Sequence, residues 1–110
     1  MTEYIEVQWA SGSIDEARKV ARILVQQRYV ACAKITPWVE SIFLLDNQLD
    51  VMQESKIFLT THKDHFEAIK KIIQENCNYE VPEISFQYID EISNEYKQWL
   101  ADSLNIHSKA

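Results

Sequence analysis

The feature that most constrains this chain is a pair of apolar, strand-like arms, Val30 to Leu45 and Leu49 to Thr60, joined by Asp46-Asn47-Gln48. Asn and Asp tolerate left-handed dihedrals, so the short joint reads as a turn and the two arms as a hairpin. An arm from Val30 to Leu45 extends ~50 Å at ~3.3 Å per residue. A domain of 110 residues has a radius of gyration of ~13 Å and is roughly 35 Å across. The hairpin must therefore overhang its own domain, even when bent at Pro37. Its outer part carries Trp38, Val39, Ile42, Phe43, Leu44 and Leu45. A monomer would leave that surface and a strand edge in water. The physical resolution is a partner, most simply copies of the same chain paired strand to strand. Trp38, Phe43 and Leu45 are the expected contacts.

The rest of the chain frames this hairpin. Tyr4, Glu6 and Gln8 alternate with Ile5, Val7 and Trp9, the pattern of a half-buried strand, and Ala10-Ser11-Gly12 turns the chain. Ser13 with Glu16 is a capping box, and Ile14, Ala17, Val20, Ala21, Leu24 and Val25 follow helical spacing to about Gln27. The run from Arg28 to Ile35 is short and apolar and reads as a strand buried on both faces. Pro37 interrupts it and marks a bulge or an edge. Thr61, with Asp64 three residues on, is the expected cap of a second helix whose stripe is Phe66, Ile69, Ile72 and Ile73. Glu83 to Ile89 alternates as a strand, and Ser93 caps a short helix bearing Tyr96, Trp99 and Leu100. Asn105 to Ala110 read as a frayed tail. No repeat or linker divides residues 1–110, which form one domain. The order is βαββαβ plus a terminal helix, an α+β sandwich of the ferredoxin-like kind with an antiparallel sheet covered on one face by helices.

Composition excludes several function classes. A net charge of −6 disfavours nucleic acid as partner and suits cations. There is one glycine, Gly12, so neither a phosphate-binding P-loop nor a dinucleotide-binding turn can be written. No apolar run approaches the ~20 residues of a membrane helix, and Met1 to Glu6 has no signal-peptide character. The expected compartment is the cytoplasm, with Cys32 and Cys77 as reduced thiols.

Chemistry-bearing residues concentrate between Asn76 and Ile84, in Asn76-Cys77-Asn78-Tyr79-Glu80-Val81-Pro82-Glu83-Ile84. The two asparagines end the second helix, and Pro82 forces Val81 into an extended conformation. Cys77 with Glu80 and Glu83 offers a thiolate and hard oxygen donors to a metal. The favoured reading is a partly buried cysteine that closes the helix, since a free cysteine packs as a small hydrophobe. Cys32, in an apolar strand, reads as core. Tyr79, Glu80 and Glu83 suit a polar or cationic ligand, or an interface network in which Arg28, Lys34 or Lys56 pairs with the carboxylates. His62 and His65 share a helix start without a third ligand and read as a solvated helix end. His107 lies in the tail. Trp9, Trp38, Phe43, Tyr96 and Trp99 read as packing or interface anchors. No nucleophile–base constellation emerges: Cys77 and His65 are ~18 Å apart along their helix at ~1.5 Å per residue. The chain is not read as an enzyme.

Several ordered motifs resemble the CutA family of divalent-cation tolerance proteins. Tyr79 to Ile84 matches its Tyr-Glu-Val-Pro-Glu-Ile core, and Arg28 to Ala33 is similar to its Arg-Leu-Ala-Ala-Cys-Val. Pro37 to Ser41 resembles Pro-Gly-Val-x-Ser, Glu54 and Lys56 to Thr61 take the place of its third strand, and Tyr96 to Leu100 resembles Tyr-x-x-Trp-Leu. The family's His-Pro before the core is Cys77-Asn78 here, the aromatic pair of its hairpin is Phe43 and Leu45, and the glycine of its turn is Asn47.

The resemblance implies a homotrimer with intersubunit β-pairing and a role in tolerance of copper and other divalent metals. Copper or another divalent ion is the implied ligand, at Cys77, Glu80 and Glu83, and none is required for folding. The trimer resembles the PII signalling proteins. That likeness implies a second function, a sensor holding a small effector in an intersubunit cleft drawn from Cys32, Tyr79, Glu80, Pro82 and Glu83. The expected partners are copies of the chain and a metal ion or small effector, with neither nucleic acid nor membrane.

Overall fold

The structure, a computed structural model, describes residues 3–105. Its elements are β1 (Tyr4–Ser11), α1 (Ile14–Gln26), β2 (Cys32–Leu45), β3 (Gln48–His62), a 3-10 turn (Lys63–His65), α2 (Phe66–Asn76), β4 (Ile84–Tyr88) and α3 (Asn94–Ser103). The strands form one antiparallel sheet in the order β2-β3-β1-β4. This is the mixed α+β architecture expected from the order of elements. The expected tail from residue 106 onward, with His107, lies outside the described residues.

Alternation on β1 sends Ile5, Val7 and Trp9 to one face, all at 0% exposure. There they meet Ile57 and Leu59 of β3 and the apolar stripes of α1 (Ala17, Val20, Leu24) and α2 (Ile69, Ile73). The opposite face carries Tyr4, buried with Ala31, Leu100 and Leu104 beside Ile89 and Ile92. The expected sheet with helices on one face is thus corrected at one end, where α3 covers the second face.

Local chemistry explains most boundaries. Ser13 Oγ accepts from Glu16 N at 3.2 Å to start α1, but the Glu16 carboxylate does not return the bond and is used elsewhere. α1 ends with Arg28 at φ 63°, where Arg28 N donates to Val25 O and Tyr29 N to Leu24 O. That paired pattern usually takes glycine. The Arg28 guanidinium reaches Ser103 O at 3.1 Å and so caps α3 as well. At the end of α3, Asn105 takes φ 57° and its N–H donates to Asp102 O.

Three expectations are corrected. β2 begins at Cys32 and is an edge strand rather than one buried on both faces; Lys34 and Thr36 are exposed. An edge is what admits Pro37, which sits with Trp38 in a bulge between the Thr36–Lys56 and Val39–Glu54 pairs. Thr61 does not cap α2. It is the penultimate residue of β3 and its hydroxyl donates to Tyr29 O, while His62 Nδ1 accepts from Asp64 N at 3.1 Å to cap the 3-10 turn. The hairpin turn is the dipeptide Asp46-Asn47, both at positive φ (52° and 64°), with Leu45 paired to Gln48. That is the tight turn whose twist matches the strands.

The overhang is real. The molecule measures 55 × 25 × 22 Å. Ile42 pairs with Val51 and Leu44 with Leu49, so these four share one face of the outer hairpin. They are 62%, 49%, 68% and 72% exposed. By the two-residue period of β3, this stripe continues the face of Ile57 and Leu59 beyond the reach of the helices.

Candidate functional site at the base of the hairpin

The Asn76–Ile84 segment folds back onto the turn after β1. Asn76 Nδ2 donates to Ile72 O at 2.8 Å in the last turn of α2. Cys77 is then extended (φ −100°, ψ 139°), and its half-buried thiol accepts from Tyr79 N at 3.5 Å while packing against the core. Glu16 ties this loop to α1. One of its oxygens accepts from Asn78 N at 3.1 Å and the other from Ser11 Oγ at 2.5 Å. The carboxylate that the sequence placed in a capping box is thus a clamp between two segments 62 residues apart.

Tyr79 lies against Gly12. A methyl group at Gly12 would sit 2.7 Å from Tyr79 Oη and 3.2 and 3.3 Å from ring carbons. Gly12 has no positive φ, so glycine is needed there for close approach rather than for backbone freedom. The Tyr79 hydroxyl is buried and lacks a hydrogen bond of good geometry among the described residues; the Glu54 carboxylate is its polar neighbour. Burial first, then the approach of Glu54, push the phenol up to about 12. The phenol therefore stays protonated at neutral pH and presents a donor. Glu54 itself accepts from Ser41 Oγ at 2.5 Å, and Ser55 Oγ donates to Pro37 O at 2.6 Å, which pins the bulge.

Beside this network lies a cavity of about 240 Å³ lined by Gly12, Pro37, Trp38, Gln53, Glu54 and Ser55, among others. Trp38 is 64% exposed. An indole face, a carboxylate and an amide around one cavity suit a small cationic or polar group.

The other expected site residues are placed as follows. Glu80 is exposed, Pro82 half-buried, and Glu83 is exposed with its carboxylate paired to Lys56 Nζ. Lys56 is one of the three cations expected to pair with these carboxylates, and the pair lies within one chain. Among the described residues no three His, Cys, Asp or Glu side chains gather where they can hold a metal ion. Cys77, Glu80 and Glu83 are therefore not gathered into such a group. Cys32 pairs with Thr60, five positions along β3 from Ser55, or ~17 Å at ~3.3 Å per residue. Cys32 therefore does not sit at the Ser11–Ser55 end of the sheet, where Gly12 meets Tyr79. His62 caps the 3-10 turn, and His65 Nδ1 lies 3.0 Å from Tyr29 O, so both histidines serve local structure. On the hairpin, Trp38 and Leu45 are exposed and Phe43 is half-buried. Sequence reasoning missed Glu16, Ser41 and the pairing of Gly12 with Tyr79. The signal for the last was present: a chain with a single glycine keeps it where a side chain cannot fit.

Comparison with known proteins agrees with this frame. The family model for "CutA1 divalent ion tolerance protein" matches residues 5–103. The divalent-cation tolerance protein CutA of Thermus thermophilus is 32% identical over 91 residues, covering 83% of this chain and 88% of that protein. The chloroplastic protein CutA of Arabidopsis thaliana is 27% identical over 89 residues; the match covers 81% of this chain and about half (49%) of that protein. The crystal structure of CutA1 from Shewanella sp. SIB1 superposes with a TM-score of 0.89 at 27% identity, covering 93% of this chain and 95% of that one. With the ordered motifs, the hairpin and the matched span in agreement, the chain belongs to the CutA1 divalent ion tolerance family.

Proposed function

We propose that this protein acts without catalysis, as a homotrimer in the cytoplasm, in the cell's response to copper and other divalent cations. The observation that carries the assembly is the exposed stripe of Ile42, Leu44, Leu49 and Val51 on the overhanging hairpin. Four aliphatic side chains on one sheet face need a cover, and edge strands β2 and β4 offer backbone for pairing between copies. The relatives named for divalent-cation tolerance support the role. Cys32 and Cys77 are free, which suits a reducing compartment. No helix among the described residues is long and apolar enough to cross a membrane. Neither nucleic acid nor membrane enters this reading.

Direct binding of a metal ion would need donors from more than one copy. Glu83 is engaged by Lys56, and Cys77 with Glu80 supplies too few ligands alone. A second reading has its own observation, the cavity lined by Gly12, Trp38 and Glu54 at the hairpin base. There the protein is a PII-like sensor whose effector fills a cleft completed by a neighbouring copy.

Native mass spectrometry of the reduced protein, with and without Cu(I) and Zn(II), beside a Cys77→Ser variant, separates these readings. A trimer that gains metal through Cys77 supports a metal centre at the thiolate. A trimer that gains none moves the function to an effector in the cleft, and a monomer overturns both.

A further inference from the structure

We infer that His62 makes the joint between β3 and α2 proton-sensitive: its neutral ring holds the 3-10 turn through the Asp64 N–H, and its charged ring gives up that bond and takes the Asp64 carboxylate instead. A backbone N–H can only donate, and a backbone carbonyl can only accept. Asp64 N donates to His62 Nδ1 at 3.1 Å, so that nitrogen carries no proton and the neutral ring is protonated at Nε2. His65 is set the other way. Its Nδ1 lies 3.0 Å from Tyr29 O, so there the nitrogen carries the proton and donates it. The two histidines bound the same turn, His62 as its cap and His65 as its last residue. A proton added to the His62 ring fills Nδ1 and cancels the cap, whereas His65 gains a proton at Nε2 and keeps its hold on Tyr29 O. Of this pair, His62 alone loses its bond on protonation.

The neighbours supply the second state. Asp64 Oδ2 lies 3.6 Å from the same His62 nitrogen. Protonation turns that nitrogen from an acceptor into a donor, and Asp64 then offers it an acceptor in place of the donor it has lost. Tyr4, the ladder partner of His62 on β1, meets the ring edge-on at 5.5 Å. Burial pushes the Tyr4 phenol up, so it stays neutral. α3 reaches Tyr4 through the apolar Leu100 and Leu104. Lys63 extends over the ring of Tyr88 on β4, 5.8 Å from its centroid. Among the described residues, the Asp64 carboxylate is thus the ionised group that meets the His62 ring. The His62 side chain is 15% exposed, which lets water deliver the proton, and Asp64 is 77% exposed, so water takes over its N–H when the ring lets go. The rest of the turn is held independently, by Lys63 N donating to Glu3 O at 2.8 Å and Phe66 N to Lys63 O. The proton therefore loosens the joint without unfolding it. The joint fixes where α2 begins, and the far end of that helix is capped by Cys77. His62 and Asp64 belong to neither edge strand, so the two states need no second copy.

The test is an NMR titration of the full chain from about pH 8 to about pH 5.5, a window that spans the histidine range and stays above the aspartate range. Long-range proton–nitrogen spectra at the upper end should show a bare Nδ1 on His62 and a protonated Nδ1 on His65. As the pH falls, the Asp64 amide peak should move with the same midpoint as the His62 ring. Its protection against hydrogen exchange, corrected for the intrinsic pH dependence, should fall about fivefold, the size of a typical cap. His62→Asn keeps an acceptor at the cap and removes the titrating ring, so the Asp64 amide should then stay still across the window. Asp64→Asn keeps the N–H and removes the carboxylate, so the bare Nδ1 should persist at the upper end while the ring midpoint drops by about 0.2–0.7 unit, the size of an exposed ion pair. The inference is overturned by a proton on His62 Nδ1 at the upper end, or by an Asp64 amide that does not move while the ring titrates. Movement that persists in His62→Asn, or a midpoint that Asp64→Asn leaves unchanged or raises, overturns it as well. The readouts on the parent chain need no variant, and none of them depends on metal uptake.

Discussion

Gly12→Ala tests the central contact of the hairpin-base site. The added methyl group would lie 2.7 Å from Tyr79 Oη and 3.2 to 3.3 Å from two ring carbons. Van der Waals contact between such atoms needs about 3.5 Å or more, so the ring has to move. Movement is resisted from two directions, by the Tyr79 N–H bond to Cys77 Sγ and by Glu16, which holds the neighbouring Asn78 N. Overpacking of this kind costs about 1–3 kcal/mol. An opposing gain exists, because alanine restricts the unfolded chain by about 0.4–1 kcal/mol where the backbone tolerates it, and Gly12 has no positive φ to forbid it. The net expectation is a loss of about 0.6–2 kcal/mol, the lower and upper ends of the second range taken from those of the first. Urea unfolding at one fixed protein concentration reads it, so that assembly does not shift the midpoint. Combining Gly12→Ala with Tyr79→Phe removes the 2.7 Å contact but keeps the two ring contacts. The pair should therefore couple, with the double variant losing less than the sum of the singles. A Gly12→Ala protein as stable as the parent, with no coupling to Tyr79, would falsify the placement of the ring.

Leu44→Asp should dissociate the assembly while leaving the protomer folded, because a buried unpaired charge would face the partner; light scattering that still reports the parental mass refutes the contact. Stability should fall as pH rises above about 10, the unfolded phenol value, since the folded Tyr79 proton is held up to about 12. That contribution is complete below the unfolded value and lost through the folded one, and Tyr79→Phe should flatten this limb; an unchanged limb argues against a buried phenol. Glu80→Ala with Glu83→Ala should cost the protomer less than about 1 kcal/mol, because the Lys56 pair is partly solvated. The same variant should weaken assembly or ligand uptake, and if trimer stability and metal binding are both unchanged the motif has no role in either.

Much of the fold was legible in local patterns. Period-two alternation in β1, the helical stripes of α1 and α2, and the cap at Ser13 are short-range signals, and each reappears in the structure. The overhang followed from arm length alone, because strand rise is nearly constant while domain diameter grows slowly with length. The family followed from motifs in order. Errors came where one residue type has two uses. An apolar run such as Arg28 to Ile35 reads alike at an edge and in a sheet centre, and only strand order decided that β2 is the edge. Thr61 looked like a helix cap because its hydroxyl suits one, yet β3 continued through it to His62.

The sequence by itself determined the order of elements, the length of the hairpin and the chemistry collected between Asn76 and Ile84. Tertiary structure decided the pairings among distant side chains. Glu16 left its helix cap to hold Ser11 and Asn78, Tyr79 settled on the only glycine, Lys56 took Glu83, and Cys32 went to the opposite end of the sheet. The physical reason is range. Backbone preference and hydrophobic period act over a few residues and are written in the local sequence. Contacts such as Gly12 with Tyr79 exist only after the sheet has set its register and the helices have packed against it.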